Sequence, residues 1–317
     1  MKQKIIPVFF AVDDQYAPYL AVALKSLIAN TTATNRYQLI VLYHELSPAN
    51  QKQLQTLALT QPQINLKFVP LTNAQLQKIT DHDNKLRCDY FTFTIYFRLF
   101  IATMFPEYDK AIYLDADTVV LADIADLYQI ELGNQLLGAV PDPFIAANPK
   151  MATYAADAVG VTADKYVNSG VLLMNLKAMR TEHFAEHFLS LLNEYHFASL
   201  APDQDYLNAI SQQRIRYLDP AWNVQMNDTS AAPQLVHYNL FAKPWHYDDV
   251  ANQQYFWHYA RMTPYYDQIV ATKQRHNVHD TQQDDAKLQQ LLSMAQKTIH
   301  AAITFKSVRD QGNVVYL

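Results

Sequence analysis

Glycine is scarce in this chain: 5 residues of 317, where average usage near ~7% would give about 22. They stand at 133, 138, 160, 170 and 312. No two are separated by a single residue, which excludes the G-x-G-x-x-G fingerprint of dinucleotide-binding folds. Gly133 and Gly138 have P-loop spacing, but Ala139 follows where a P-loop needs lysine. Any phosphate bound here is therefore expected to be held without a glycine-rich loop. Cysteine is nearly absent as well. Cys88 alone cannot close an intramolecular disulfide and reads as a small buried hydrophobe, and no Cys/His zinc pattern exists, which fits a reducing, cytoplasmic compartment. No uncharged apolar run reaches the roughly 18 residues of a membrane-spanning helix. The basic start, Met1 to Lys4, leads through an apolar run into Asp13-Asp14 with no small-residue cleavage site, so no signal peptide is expected. The sequons at Asn30 and Asn227 then read as chance matches. Basic charge is not in excess either. Lys plus Arg is 25 against 30 for Asp plus Glu, a formal −5, which excludes a general nucleic-acid-binding surface.

What is present is a folding composition, 50% hydrophobic and 17% charged. The first third alternates apolar runs with helical periodicity: Ile5 to Val12, Tyr19 to Ile28, Tyr37 to Tyr43, Pro48 to Leu59 and Ile64 to Val69. The spacing predicts strand, helix, strand, helix, strand, with Ser47 as an N-cap before a first-turn proline, and hence a mostly parallel sheet. A helix is predicted over Thr92 to Phe105, with Arg98 inside an aromatic stripe. Further strands are expected at Ala111 to Leu114, Leu136 to Val140, Val171 to Asn175 and Leu235 to Tyr238. Helices are expected at Lys177 to Tyr195 and Gln204 to Ile210. From about 271 the character changes: Leu288, Leu291, Leu292, Ala295, Ile299, Ala302 and Ile303 share one helical stripe. The six Lys/Arg and four Asp beyond residue 270 make this tail +2 against −7 for residues 1–270. We therefore read a domain over 1–270 and a helical extension over 271–317, which could touch a membrane surface or partner.

Ligands of open α/β sheets bind beyond the carboxyl ends of the strands. Asp115 and Asp117 stand there, directly after Tyr113-Leu114. In an extended segment their spacing puts both carboxylates on one face, where they can share a divalent cation with a diphosphate. The competing reading is an ordinary solvated turn. His237, at the end of another predicted strand, could add an imidazole ligand, and Lys243, one loop later, could neutralise phosphate charge. Ala11-Val12-Asp13-Asp14-Gln15-Tyr16 runs from a strand into acidic residues and an aromatic, a pattern suited to holding and stacking a base.

Together these segments resemble glycosyltransferase family 8, through six motifs in order: Ala11 to Tyr16, Tyr96-Phe97-Arg98-Leu99, Tyr113 to Asp117, Val167 to Leu176, Asp203-Gln204-Asp205 and His237 to Trp245. The resemblance spans about residues 5–247. It implies a GT-A fold, a UDP-sugar donor carrying glucose or galactose, and Mn²⁺, or Mg²⁺ in its place. By position it implies that Asp115, Asp117 and His237 hold the metal and that Lys243 holds the diphosphate. It assigns the uridine to Ala11, Asp13, Gln15 and Tyr16. Arg98, Asp115, Asn168, Asp203 and Gln204 would surround the sugar, with Asp142 on the acceptor side and Gln204 or Asp203 as candidate nucleophiles. The acceptor would be a saccharide or lipid-linked hydroxyl in cell-surface glycan synthesis, with the protein cytoplasmic, free or at the inner membrane face, and able to form an oligomer. If the three metal ligands serve only a ligand, their loss should spare stability. Leu240 stands where the family usually has glycine, so a different loop path is expected there.

Two other enzyme readings and one binding reading compete. His183-Phe184-Ala185-Glu186-His187 matches the H-x-x-E-H pattern of one peptidase group, but Thr181 as N-cap and the following leucines predict an ordinary amphipathic helix with both histidines on its solvated face. A sugar nucleotidyltransferase normally needs a glycine-rich phosphate loop, which is missing. A non-catalytic UDP-sugar-binding protein is the reading that Leu240 motivates.

Overall fold

The computed structural model describes residues 5–71, 93–225 and 232–317. Cys88, Thr92 and the sequon at Asn227 lie outside the described residues. Nine strands form among them: β1 (Ile5–Val12), β2 (Arg36–Tyr43), β3 (Ile64–Pro70), β4 (Ala111–Leu114), β5 (Thr118–Val120), β6 (Leu137–Ala139), β7 (Val171–Met174), β8 (Ile215–Tyr217) and β9 (Leu235–His237). Seven build a central sheet in the order β3-β2-β1-β4-β7-β6-β8, and β5 pairs with β9 in a small second sheet. Only β7 runs against its neighbours in the large sheet; the rest are parallel. The mostly parallel sheet expected from the alternation is thus present.

The reasons lie in the sequence. A central parallel strand is buried on both faces and needs a continuous apolar run, and β1 supplies Val8, Phe9 and Phe10, all fully buried. Pro7, which has no N–H, precedes the two residues of β1 that pair with β4. The helix Pro48–Ala58 starts as expected, with the Ser47 hydroxyl accepting from the Asn50 amide. Apolar side chains on the two sheet faces form two cores. One contains Phe10, Leu24 and Val41, the other Tyr113, Leu172 and Tyr206.

Three local expectations change. The stretch expected as one helix over 177–195 is two, Leu176–Thr181 and Phe184–Tyr195, because His183 takes a left-handed backbone (φ 54°) between them. Thr181 therefore ends a helix instead of capping one. The aromatic segment before Pro106 is a 3₁₀ helix (Phe93–Phe100) continued by one α-turn (Ile101–Met104). The short strand β8 has no alternation long enough to mark it. In the C-terminal region, the helix Val278–Thr298 buries Leu291, Leu292 and Ala295. Phe305 beyond it stacks on Phe197 with ring centroids 3.9 Å apart. The centre of the apolar stripe therefore packs on the protein itself, while Ile303 at its end stays exposed. No helix among the described residues is long and apolar enough to cross a membrane.

Candidate active site

Strand register assembles the site. In the β4–β7 pairing Leu114 faces Val171, so the residues just beyond, Asp115 and Gly170, come level, with the Asp115 amide donating to the Gly170 carbonyl at 2.8 Å. In the β5–β9 pairing Thr118 faces His237, which sets the imidazole beside Asp117. Asp115-Ala116-Asp117 is a turn, not the extended segment expected, with Ala116 directed into the core. The carboxylates still converge: Nε2 of His237 lies 3.2 Å from Asp117 and 3.7 Å from Asp115. Gly170 is indispensable to this packing. A Cβ there would fall 2.2 Å from Cε1 of His237 and 2.6 Å from Oδ2 of Asp115.

The orientation of the His237 ring follows from a chain of hydrogen bonds whose first link is backbone. The Gly170 amide donates to Oδ1 of Asn168. Nδ2 of Asn223 must then donate to that same oxygen, which leaves Oδ1 of Asn223 facing Nδ1 of His237 at 3.1 Å. Nδ1 therefore carries a proton, and Nε2 faces the two carboxylates. An outer partner of this kind fixes the tautomer of metal-ligating histidines. The buried Oδ1 of Asp117 accepts no hydrogen bond. Three ligand-capable atoms directed at one another fit a divalent cation, and one ligand atom from each of Asp115, Asp117 and His237 lies within 4.8 Å of the others.

Two buried cations flank this group. Arg98 donates to Asp115 at 2.8 Å, to the Ser169 carbonyl at 2.5 Å and to Asp203 at 3.1 Å, over the face of Tyr113. Burial opposes its charge, but Asp115 and Asp203 more than offset this and hold the guanidinium protonated. Lys243 contacts Asp117 and the Tyr238 carbonyl, each at 2.5 Å. Burial would raise the Asp117 pKa, yet the Lys243 ammonium and His237 prevail and hold it well below the usual carboxylate range. Lys243, expected to face a diphosphate, is here first the counter-ion of Asp117. The expectation that the metal ligands stand apart from stability is therefore corrected, since Asp115 and Asp117 neutralise Arg98 and Lys243 in the interior.

Beyond the ionic group the wall is built of amides and hydroxyls. Gln204 accepts from the Ser169 amide at 3.0 Å and donates to Asp142 at 3.1 Å. Asn168 donates to the same Asp142 oxygen, whose other oxygen caps the helix Pro143–Ala147. The Ser169 hydroxyl donates to Asp203 at 2.8 Å. These side chains and the ionic group line one cavity of about 200 Å³. Counting Arg98 and Lys243 against Asp115, Asp117, Asp142 and Asp203, its wall carries 2 − 4 = −2, the charge that one divalent cation balances.

All sugar-side residues expected from the sequence meet in this cavity, and Tyr16 joins them. Ala11, Asp13 and Gln15 do not. They lie at the end of β1 and in the next turn, where Asp13 accepts from the Tyr16 amide. Leu240 keeps a glycine-like backbone, φ 51°, so the expected change of loop path does not occur; the chain instead carries the strain of a left-handed leucine. The residues that sequence reasoning missed are Gly170, Ser169 and Asn223. Of these only Gly170, as one of five glycines at a strand start, gave a usable signal. His183 is exposed and His187 reaches the Val315 carbonyl, so the H-x-x-E-H pattern builds no shared site.

An open α/β sheet with an Asp-x-Asp turn and a histidine at its carboxyl edge defines a GT-A domain of the glycosyltransferase class. Solved structures agree. The apo form of the bifunctional glycosyltransferase WbbM superposes with TM-score 0.74 at 25% identity, over 86% of this chain and 52% of WbbM. Galactosyltransferase LgtC, solved with donor and acceptor sugar analogs, gives 0.68 at 25% identity, over 82% of this chain and 96% of LgtC. The family model of glycosyl transferase family 8 matches residues 7–249, and the chain belongs to that family. Among sequence relatives, a Haemophilus influenzae protein is 28% identical over 221 residues, 70% of this chain but 64% of its own length, so this chain spans less than two thirds of that relative. General stress protein A of Bacillus subtilis is 25% identical over 77% of this chain and 88% of its own. Lipopolysaccharide 1,2-glucosyltransferase of Escherichia coli is 25% identical over 75% and 72%.

Proposed function

We propose that the protein transfers a hexose, glucose or galactose, from a UDP-sugar to a saccharide or lipid-linked hydroxyl, keeping the α configuration, with Mn²⁺ or Mg²⁺ bound by Asp115, Asp117 and His237. The observation that carries this reading is the convergence of these three side chains, charge-deficient by two, on a cavity walled by hydrogen-bonding groups. The cation, when bound, would offset charge developing on the leaving diphosphate. Tyr16 would stack on the base, and Lys243, reached once ligand competes with Asp117, would add a second positive charge. Within residues 1–270, Arg98, Asn168 and Gln204 would orient the sugar, and Asp142 would face the acceptor.

Front-face transfer suits these residues better than a covalent intermediate. Oδ2 of Asp203 is engaged by Arg98 and Ser169, and the Gln204 carbonyl oxygen by the Ser169 amide, so both of these oxygens are already held by donors. The acceptor hydroxyl would then attack the anomeric carbon on the side from which UDP departs, and its proton would pass to the leaving phosphate oxygen. Membrane-edge action on a lipid-linked acceptor, through the extension 271–317, belongs to the same reading. UDP release from a panel of UDP-sugars, with Mn²⁺ and candidate acceptors, tests it. Turnover with one hexose donor is expected; tight UDP binding with no turnover on any donor would favour a binding protein instead.

A further inference from the structure

A second group of metal-competent side chains lies outside the cavity. His246 directly follows Trp245 at the end of the loop that carries Lys243. His276 stands in the turn between the helices Tyr266–Arg275 and Val278–Thr298, and Asp284 lies in the second turn of the latter. The two imidazoles stack, with centroids 4.5 Å apart and planes 4° from parallel. Tyr247 donates to Oδ2 of Asp284 at 2.7 Å, and one ligand atom from each of His246, His276 and Asp284 lies within 4.8 Å of the other two. Nε2 of His276 is buried with no hydrogen-bond partner. An unpaired polar atom in the interior is costly, and a ring stacked face to face on its neighbour receives no hydrogen bond from it to offset that.

We propose that His246, His276 and Asp284 form a second divalent-cation site, of zinc-like preference, that fastens the helix Val278–Thr298 to the loop carrying Lys243. Two imidazoles and one carboxylate are a borderline-soft donor set that suits Zn²⁺ better than Mn²⁺ or Mg²⁺. A cavity of about 380 Å³, lined by His246, Lys273 and His276 among others, leaves room for one ring to tilt from the stacked arrangement and for water as a further ligand. The nearby Lys273 does not oppose the charge, being paired with Asp248 at 2.9 Å. This site is independent of sugar transfer, and protein without turnover can still display it.

Zn²⁺ titrated by calorimetry into metal-stripped full-length protein is expected to show two equivalents, one at each group. His276→Ala should remove one equivalent or weaken it at least tenfold, the lower end of what even an outer-shell change costs a metal site. Zn²⁺ should raise the Tm of wild type and of His237→Ala, and that of His276→Ala by less than wild type, while His258→Ala, on a neighbouring helix, should behave as wild type. Should His276→Ala fail to fold, Asp284→Asn gives the same reading, and Zn²⁺-dependent shifts of the His246 and His276 ring resonances give it in wild type. A single equivalent in wild type that His276→Ala retains, two full equivalents in His276→Ala or Asp284→Asn, or unmoved ring resonances would each overturn the proposal.

Discussion

Asp117 and Asp205 are two carboxylates of the interior that the protein completes to different degrees. Asp117 sits at the carboxyl edge of the sheet with one oxygen on Lys243 and the other accepting no hydrogen bond. Asp205, fully buried in the helix Pro202–Ser211, accepts from the hydroxyls of Tyr154, Tyr166 and Ser199 and from the amides of Leu200 and Ala201. Neutral donors saturate Asp205, so nothing further can bind to it. Asp117 is left with an oxygen to spare, facing a histidine nitrogen. Polar groups completed by their own protein stabilise the fold, whereas those left incomplete mark where a ligand belongs.

The sharpest way to break the comparison is Asp117→Ala. Metal assistance is worth several kcal/mol, so UDP release is expected to fall at least about 1,000-fold. Lys243 would lose its counter-ion, so stability should also drop, by about 3 kcal/mol in denaturant titration. The pair's contribution should be complete above about pH 4 and fade on further acidification, because Asp117 titrates below the ordinary carboxylate range. Unchanged stability would return Asp117 to a purely ligand-binding role. Gly170→Ala attacks the incomplete group without touching a charge. Its methyl would force His237 and Asp115 apart, and a loss of activity of about 100-fold is expected, since misplacing reacting groups by 1 Å costs that much.

Asp205→Asn probes the saturated side. An amide NH₂ would face donors that need acceptors, which should cost about 3 kcal/mol of stability, with activity per folded molecule retained. Loss of turnover with normal stability would erase the distinction between the two carboxylates. Leu240→Gly is the smallest change. It relieves about 1 kcal/mol of left-handed strain, nearly offset by the extra freedom of glycine in the unfolded chain. Tm should therefore hardly move, while UDP binding is expected to tighten by ~1 kcal/mol, the worth of one hydrogen bond. Weaker UDP binding would make Leu240 an adapted contact.

The same contrast explains what could be read from the residues alone. Strands β1 to β4 and the acidic pair at the end of β4 are legible because local patterns create them: apolar runs, an N-cap and a proline, acids at a strand end. Asp203, Gln204 and Asp205 show where that stops. They are neighbours on one helix, yet the first pairs with Arg98, the second meets Ser169, Asn168 and Asp142, and the third serves the core. Which role each takes depends on partners about 35 to 105 residues away in sequence for the first two, which only strand register decides. Asn223 was invisible for the same reason, since its contact with His237 arises through the short sheet and a 3₁₀ turn. The broken helix at His183 was hidden by a left-handed histidine that no glycine or proline announced.

The central claim is that Asp115, Asp117 and His237 hold a divalent cation through which this cavity takes a nucleoside diphosphate. Calorimetric titration of UDP into the full-length protein, with Mn²⁺ and again after chelation, tests it most directly. UDP should bind with Mn²⁺ and lose at least about tenfold in affinity without it, about 1.4 kcal/mol; equal affinity in both conditions would contradict the account.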